Sequence, residues 1–257
     1  MIIEPSVTFH SEQQLYHFQA LNSYKAVAHV VTTRNSFFCS DFNLSFHTGK
    51  EEQVIENRNR LCQFFKAKTL TIPKQCHGST IAQITKDNSG QIPMDTDALI
   101  TNIPGLAIGV LSADCVPVLF YDPSRQALGA AHAGWKGTLA GIASATVKSM
   151  ENAYGSNPAD LIVCIGPSIS QPHFEVGEEV ADRFHELGLS ACITKAEGEK
   201  PHIDLWLANS LLLQKAGILA AHIHTAGVCT VDHTDQFYSA RGEGFGTGRF
   251  GAFIMLQ

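Results

Sequence analysis

Three residues, His77, Cys115 and His132, carry the chemistry this sequence can do most directly. Each closes a strand-like segment beside small residues. Gly78 follows the first, Ala113 precedes Asp114-Cys115, and Ala133-Gly134 follow the third. Strand ends are where sites are commonly built. Two imidazoles and a thiolate suit zinc, and three protein ligands leave a fourth position for water or substrate. The same residues support a second reading, with Cys115 as nucleophile and His132 as its base. A third reading has a packed thiol and two hydrogen-bonded histidines. Neighbouring Cys76 is expected to be packing, because adjacent residues of an extended segment face opposite ways. Gly78 leaves room for a ligand to approach His77.

The element that must position two of these residues is a hairpin between Ser112 and Thr138. Residues 116–121 and 126–131 are apolar and β-rich. Between them Asp122-Pro123-Ser124-Arg125 has proline at the second turn position, which presets φ there. Centring the turn between Pro123 and Ser124 sets Cys115 directly opposite His132, with Cβ atoms ~5 Å apart. A slip of one residue would send them to opposite faces.

Around the hairpin the sequence predicts strands at 25–33, 70–72, 80–85, 97–101, 106–111, 161–165, 223–228 and 248–256. Helices are expected at 51–65, from Thr138 to about 153, at 175–187 and at 205–216. Residues 34–49 form a long loop rich in Asn, Ser and aromatics, 87–96 a polar loop, and an edge strand is expected within 1–23. Strands outnumber helices and come in runs. A mixed sheet with packed helices therefore fits better than βα alternation. Neither linker nor repeat is visible, and the expectation is one α/β domain of α+β type over 1–257.

The chain carries 18 Lys and Arg against 24 Asp and Glu, net −6. No basic stripe is visible, which argues against a nucleic-acid partner. No window approaches a membrane span. The start, Met1-Ile-Ile-Glu-Pro-Ser6, lacks the features of a signal peptide, so a cytoplasmic protein is expected. Seven cysteines without a Cys-x-x-Cys read as reduced thiols. Arg34, Lys136, Arg241 and Arg249 are candidates to meet an anion. The turn from His132 to Thr138 feeds a helix start that could hold one, with Lys136 adding charge. Asp114 could orient a partner histidine, act in proton transfer, or simply close a turn. Five glycines between Gly242 and Gly251 mark a mobile loop or a close backbone approach.

Ordered motifs then point to a family: Cys76-His-Gly-Ser-Thr-Ile81, Asp97-Ala-Leu-Ile-Thr101, Ala113-Asp-Cys-Val-Pro-Val118, Ala131-His-Ala-Gly-Trp-Lys-Gly-Thr138, Ile165-Gly-Pro167, Phe174-Glu-Val-Gly177, Asp204-Leu205, Cys229-Thr230, Phe237-Tyr-Ser-Ala-Arg241 and Thr247-Gly-Arg249. From about Thr33 onward the chain resembles the YfiH-type, laccase-domain family. The resemblance implies a zinc site, catalytic as well as metal-binding, at His77, Cys115 and His132. It implies phosphorolysis of adenosine, inosine, guanosine and methylthioadenosine, with adenosine deaminase activity. Purine nucleosides and phosphate would be the partners, with Arg34, Lys136, Arg241 and Asp114 as substrate-binding candidates. The implied fold has layered mixed sheets flanked by helices, related to a cysteine-dependent toxin deamidase. A monomer or weak homo-oligomer is expected. The older family reading is a copper-dependent polyphenol oxidase. Against it, the only His-x-His pair is His222-Ile223-His224. The chain departs from the family at Lys136, usually Arg, and at Cys76, usually Val. Ala240-Arg241-Gly242 replaces a run of two arginines, and the loop after Arg34 lacks a glycine pair. Apart from Cys76, these departures fall on the phosphate candidates, not on the trio.

Overall fold

The computed structural model describes residues 6–36 and 39–257. Residues 1–5 of the 1–23 segment and residues 37–38 of the 34–49 loop lie outside the described residues. Two six-stranded sheets dominate. In chain order their strands are β1 (Val7–His10), β2 (Leu15–Phe18), β3 (Val27–Thr32), β4 (Thr69–Thr71), β5 (Ile81–Gln83), β6 (Ala98–Thr101), β7 (Leu106–Ser112), β8 (Val116–Asp122), β9 (Ala127–Ala133), β10 (Ile162–Ile165), β11 (Ile223–Thr225) and β12 (Phe250–Leu256). The first sheet runs β1-β2-β3-β12-β7-β4 and the second β11-β10-β8-β9-β6-β5. Both are mixed. β4 is parallel to β7, β5 to β6 and β10 to β11, and the other pairs are antiparallel.

The central strands are apolar on both sides because both sides are covered. Leu119 and Tyr121 of β8 face inward with Leu128 and Ala130 of β9. They meet Ile108 and Val110 of β7 and Ala252 and Ile254 of β12. Val116, Val118 and Phe120 face outward against helices Ile142–Tyr154 and Leu205–Lys215. The outer face of the first sheet, with Ala107, Leu111, Phe253 and Met255, is covered by helix Glu51–Phe65 through Leu61 and Phe65. The layers are thus helix, sheet, sheet, helix, as the resemblance implied.

Several elements differ from the expected ones, each for a local reason. The hairpin turns later. Asp122 Oδ1 accepts the N–H groups of Ser124 and Arg125 at 2.8 and 2.9 Å, and Gln126 takes φ +49°, so residues 123–126 form the loop. His132 consequently pairs with Pro117, not Cys115. The shift is two residues, and the side-chain period is two, so Cys115 and His132 still share the inward face. The helix expected from Thr138 is broken at Gly141, at φ +73°, into Trp135–Leu139 and Ile142–Tyr154. Thr138 lies within the first piece, where its hydroxyl accepts from Asn209, and is not a cap. The helix expected at 175–187 runs Glu178–Glu186. Residues before it are drawn into backbone bonds with the 201–203 segment instead. The last two strands begin or end short of the expected 223–228 and 248–256.

One buried feature of the first sheet has a pH consequence. His29, on β3, accepts the Phe18 N–H at 2.7 Å through Nε2 and is only 5% exposed. Its ring stacks edge-on with His17, and His17 with His10, at centroid separations of 5.4 and 4.8 Å. Burial, then the neighbouring imidazoles, push His29 down to about 3 and His17 down to about 4. Both are neutral in the fold but take up protons below about 6.5 when unfolded. Their contribution is therefore intact above pH ~6.5 and is lost as pH falls from there towards 3–4. Denaturant midpoints should drop between pH 7 and pH 5 by the equivalent of a few kcal/mol. The same series on His29→Gln should show a shallower pH dependence; an identical slope would contradict the assignment.

Candidate metal centre

The trio meets where the gap between the two sheets opens at one end. His132 closes β9 with its side chain on the inward face. Cys115 lies one residue before β8, just after Asp114 at φ +86°. His77 comes from the segment crossing from β4 in the first sheet to β5 in the second. Its own φ is +62°, a left-handed conformation sparsely populated by residues other than glycine. The donor atoms of the three side chains all lie within 4.8 Å of one another. The two imidazole rings are edge-on, 4.8 Å between centroids. His132 is buried, Cys115 half-buried and His77 exposed, so one side of the cluster is open.

A buried carboxylate, Asp97, assembles this cluster. It stands one residue before β6 and is fully buried. Oδ1 bonds His132 Nδ1 at 2.9 Å and accepts the His77 N–H at 2.9 Å. Oδ2 accepts the N–H groups of Gly78 and Cys76 at 2.7 and 3.1 Å. Burial alone would raise this carboxyl. The His132 bond and then the backbone donors outweigh it and hold it well below the usual range. With Nδ1–H given to Asp97, His132 presents Nε2 to the cluster, the arrangement that orients metal-bound histidines. The crossing segment is fastened on its other side by Gln75, whose side-chain amide makes both bonds of a peptide group with Leu111 of β7.

Burial would also raise the Cys115 thiol, but His132 and then His77 bring it down below the ordinary value. His132 is correspondingly raised by Cys115 and Asp97, despite burial. The pocket favours a thiolate beside imidazoles, the donor set zinc takes. Gly134 is what lets them come together. A Cβ there would lie 2.9 Å from Cys115 Sγ and 3.1 Å from His77 Cδ2. The residues fit a zinc ion with an open position.

The cluster forms the floor of a cavity of about 660 Å³. Arg58, Lys74 and Arg249 supply positive charge, and Phe46, Ile92, Met94 and Phe245 supply an apolar rim. Those four are among the few large hydrophobic side chains left exposed, Phe245 at 85%. The other sequence candidates lie elsewhere. Arg34 is bound to Glu243 and the Thr234 carbonyl. Arg241 donates to the carbonyls of His173 and Glu175. Lys136 is exposed over the Trp135 ring. Asp114 spends one oxygen on the Thr230 hydroxyl and the other on the Arg241 N–H, both at 2.6 Å. It anchors the turn before Cys115, whereas the histidine-orienting role belongs to Asp97. Cys76 is not packed, as expected from an extended segment, but exposed, with Sγ 3.2 Å from Asp97. The segment is a turn, not a strand. Of the glycine-rich run, Gly248 does mark a close approach, since a Cβ there would lie 2.6 Å from the Tyr238 ring.

Asp97, Arg58 and Lys74 escaped the sequence reading as site residues. Asp97 had a signal, being a charge at an inward position directly before an apolar strand. Arg58 had one too. It falls four residues after Val54 and three before Leu61, on the stripe that helix Glu51–Phe65 buries. Lys74 had none.

Two substitutions test this geometry. Gly134 has an ordinary φ of −63°, so alanine there costs nothing in the backbone and acts only by prising the donors apart. Gly134→Ala should keep the fold and lose at least ten-fold in zinc affinity. Asp97→Asn should lose roughly 10–100-fold. Competition against a chromophoric chelator measures both, and unchanged affinity in either would contradict the assigned role.

Comparison with known proteins agrees with this architecture. Residues 28–257 match the family described as multi-copper polyphenol oxidoreductase laccase. A purine nucleoside phosphorylase of Bacteroides thetaiotaomicron is 36% identical, over 98% of this chain and 99% of its own. The adenosine deaminase RL5, of an unknown prokaryotic organism, is 36% identical over 70% of this chain and 72% of its own. The crystal structure of the YfiH protein of Bacillus licheniformis superposes with a TM-score of 0.90. It is 30% identical and covers 98% of this chain and 99% of that one. Matched along nearly its whole length in sequence and in fold, the chain belongs to the laccase-domain, YfiH-type family.

Proposed function

We propose that the protein is a zinc-dependent purine nucleoside phosphorylase that also deaminates adenosine. The observation that carries the reading is the cavity itself: an oriented His77–Cys115–His132 set at its floor, three cations in its wall and an apolar rim. The phosphorylase name of a relative matched over 99% of its length, and the deaminase name of one matched over 72%, support the substrate class. His77, Cys115 and His132 would hold the zinc, which would supply a Lewis acid when bound.

In phosphorolysis a phosphate oxygen forms a bond to ribose C1′ as the bond to the purine nitrogen breaks. The electron pair leaves with the base, which takes up a proton. The chain's part is to bind both partners in line and to hold negative charge as it moves. Arg249 suits the phosphate. Its guanidinium is fixed by the carbonyls of Thr247 and Gly248, and it lies near enough to Cys115 to feel its charge. Burial lowers Arg249 from its ordinary value but leaves it a cation. Arg58 is clamped on the Leu44 carbonyl through two nitrogens and stacks on Phe46 at 4.3 Å. The Lys74 backbone bonds Pro93 and Thr96, but its ammonium has no hydrogen-bond or ion-pair partner among the described residues. Phosphate is therefore assigned to Arg249, Lys74 and Arg58 in preference to Arg34, Lys136 and Arg241. The planar base is assigned to the rim of Phe46 and Phe245.

A second reading has one observation in its favour. Cys115, His132 and Asp97 form a nucleophile–base–orienter chain, the layout of a cysteine hydrolase. Tag-free protein assayed for metal, and for release of free purine with and without phosphate and chelator, separates the readings. Zinc-dependent, phosphate-dependent release is expected. Activity that survives metal removal but is lost on thiol alkylation would favour the hydrolase, and copper with oxygen uptake the oxidase. Lys74→Ala and Arg249→Ala should each raise KM for phosphate ten-fold or more with zinc content unchanged. Lys136→Ala should stay within about two-fold; the reverse ranking would overturn the phosphate assignment.

A further inference from the structure

A second group of metal-type donors lies outside the cavity. His173, Cys229 and Asp232 bring an imidazole nitrogen, a sulfur and a carboxylate oxygen within 4.8 Å of one another. None of them lines the cavity or belongs to the first trio. His173 ends the short turn Gln171–His173 after β10, and the other two come from the turn that follows β11. Cys229 is 6% exposed, His173 half-buried and Asp232 at the surface.

The sulfur is treated as an acceptor. Ser170 directs both its hydroxyl and its N–H at Cys229 Sγ, at 3.0 and 3.4 Å. Cysteine binds metal as its thiolate. His173 Nε2 and Asp232 Oδ1 are 2.6 Å apart, so the imidazole and carboxylate already face each other. One dication among a thiolate, a carboxylate and a neutral imidazole makes a site of zero net charge. Bond lengths of about 2.0–2.3 Å put tetrahedral donors roughly 3.5 Å apart. Entry of an ion therefore needs the His173–Asp232 pair to open by about an ångström.

We propose that His173, Cys229 and Asp232 form a second site for a zinc-type dication. Its role follows from what it joins. The turn after β10 and the turn after β11 are already linked by a Ser168–Cys229 bridge, and Thr230 bonds Asp114 beside Cys115. Downstream of Asp232 the chain supplies Ala240, Phe245 and Arg249 to the cavity wall. A cation here cross-links the two turns and steadies that wall without touching substrate.

Cobalt titration of metal-stripped, tag-free protein tests the site, because thiolate-bound Co²⁺ gives a charge-transfer band at each cysteine site. Wild type should take two equivalents. His173→Gln/Asp232→Asn, altered only at half-buried and exposed positions, should take one, with part of the band lost. Zinc should raise the Tm of wild type more than that of this variant. The first site is judged separately with Cys115→Ser, which should keep the equivalent assigned here. A single wild-type equivalent that is lost in the double variant would support this site and count against the first. An uptake unchanged between wild type and the double variant, whether one equivalent in both or two in both, would overturn the proposal.

Discussion

The structure depends on one buried carboxylate. Asp97 gathers three consecutive backbone N–H groups of the 76–78 turn and the Nδ1 of His132. Without it the turn would carry unpaired donors at a half-buried position, each a cost of about 1–3 kcal/mol. It also joins the layers. The 76–78 turn leaves a strand of the first sheet, while Asp97 and His132 belong to strands of the second. The bonds that hold His77 in place are thus the bonds that close the end of the sandwich. A left-handed His77 persists because this frame over-determines it.

The electrostatics of the cavity divide into two zones. At the floor, Asp97 and the Cys115 thiolate carry negative charge that balances imidazole protons or a metal ion. Along the wall stand Arg58, Lys74 and Arg249, two of them locked onto backbone carbonyls rather than carboxylates. A guanidinium bound only to carbonyls keeps its charge unneutralised. By contrast Arg34 meets Glu243 and is spent within the protein. Arg241, like Arg58 and Arg249, is bound to carbonyls, and what sets it apart is that it does not line the cavity.

Much of this was legible in the residues. The helix at 51–65 reads directly from its acidic start and apolar stripe, and the structure ends it at Lys66 in a left-handed turn. The hairpin strands were visible, and the two-residue error in their register did no harm to the site because strand faces repeat every two residues. Local order at 138–153 was misread because Gly141 breaks a run whose composition is otherwise helical. The stacking of two sheets was invisible to local pattern, since β12 pairs with β3 and β7 across most of the chain. The trio was found because cysteine and histidine are distinctive at strand ends. Of the cavity cations Arg249 was named and Arg58 and Lys74 were not, because arginine and lysine are common everywhere and only burial separates Arg58 from its solvated counterparts.

The position of β12 has a consequence for how the protein is made. Phe253 pairs with Val30 on one side and Gly109 on the other, so the last strand fills the middle of the first sheet. Until residues 250–256 leave the ribosome, β3 and β7 present bare, apolar edges to each other and to any other chain nearby. The β8–β9 hairpin and its helices can condense early from neighbouring segments, whereas the sheet behind them must wait. A chain cut off before residue 250 would be an aggregation-prone half-sandwich, not a slightly shortened copy of this fold.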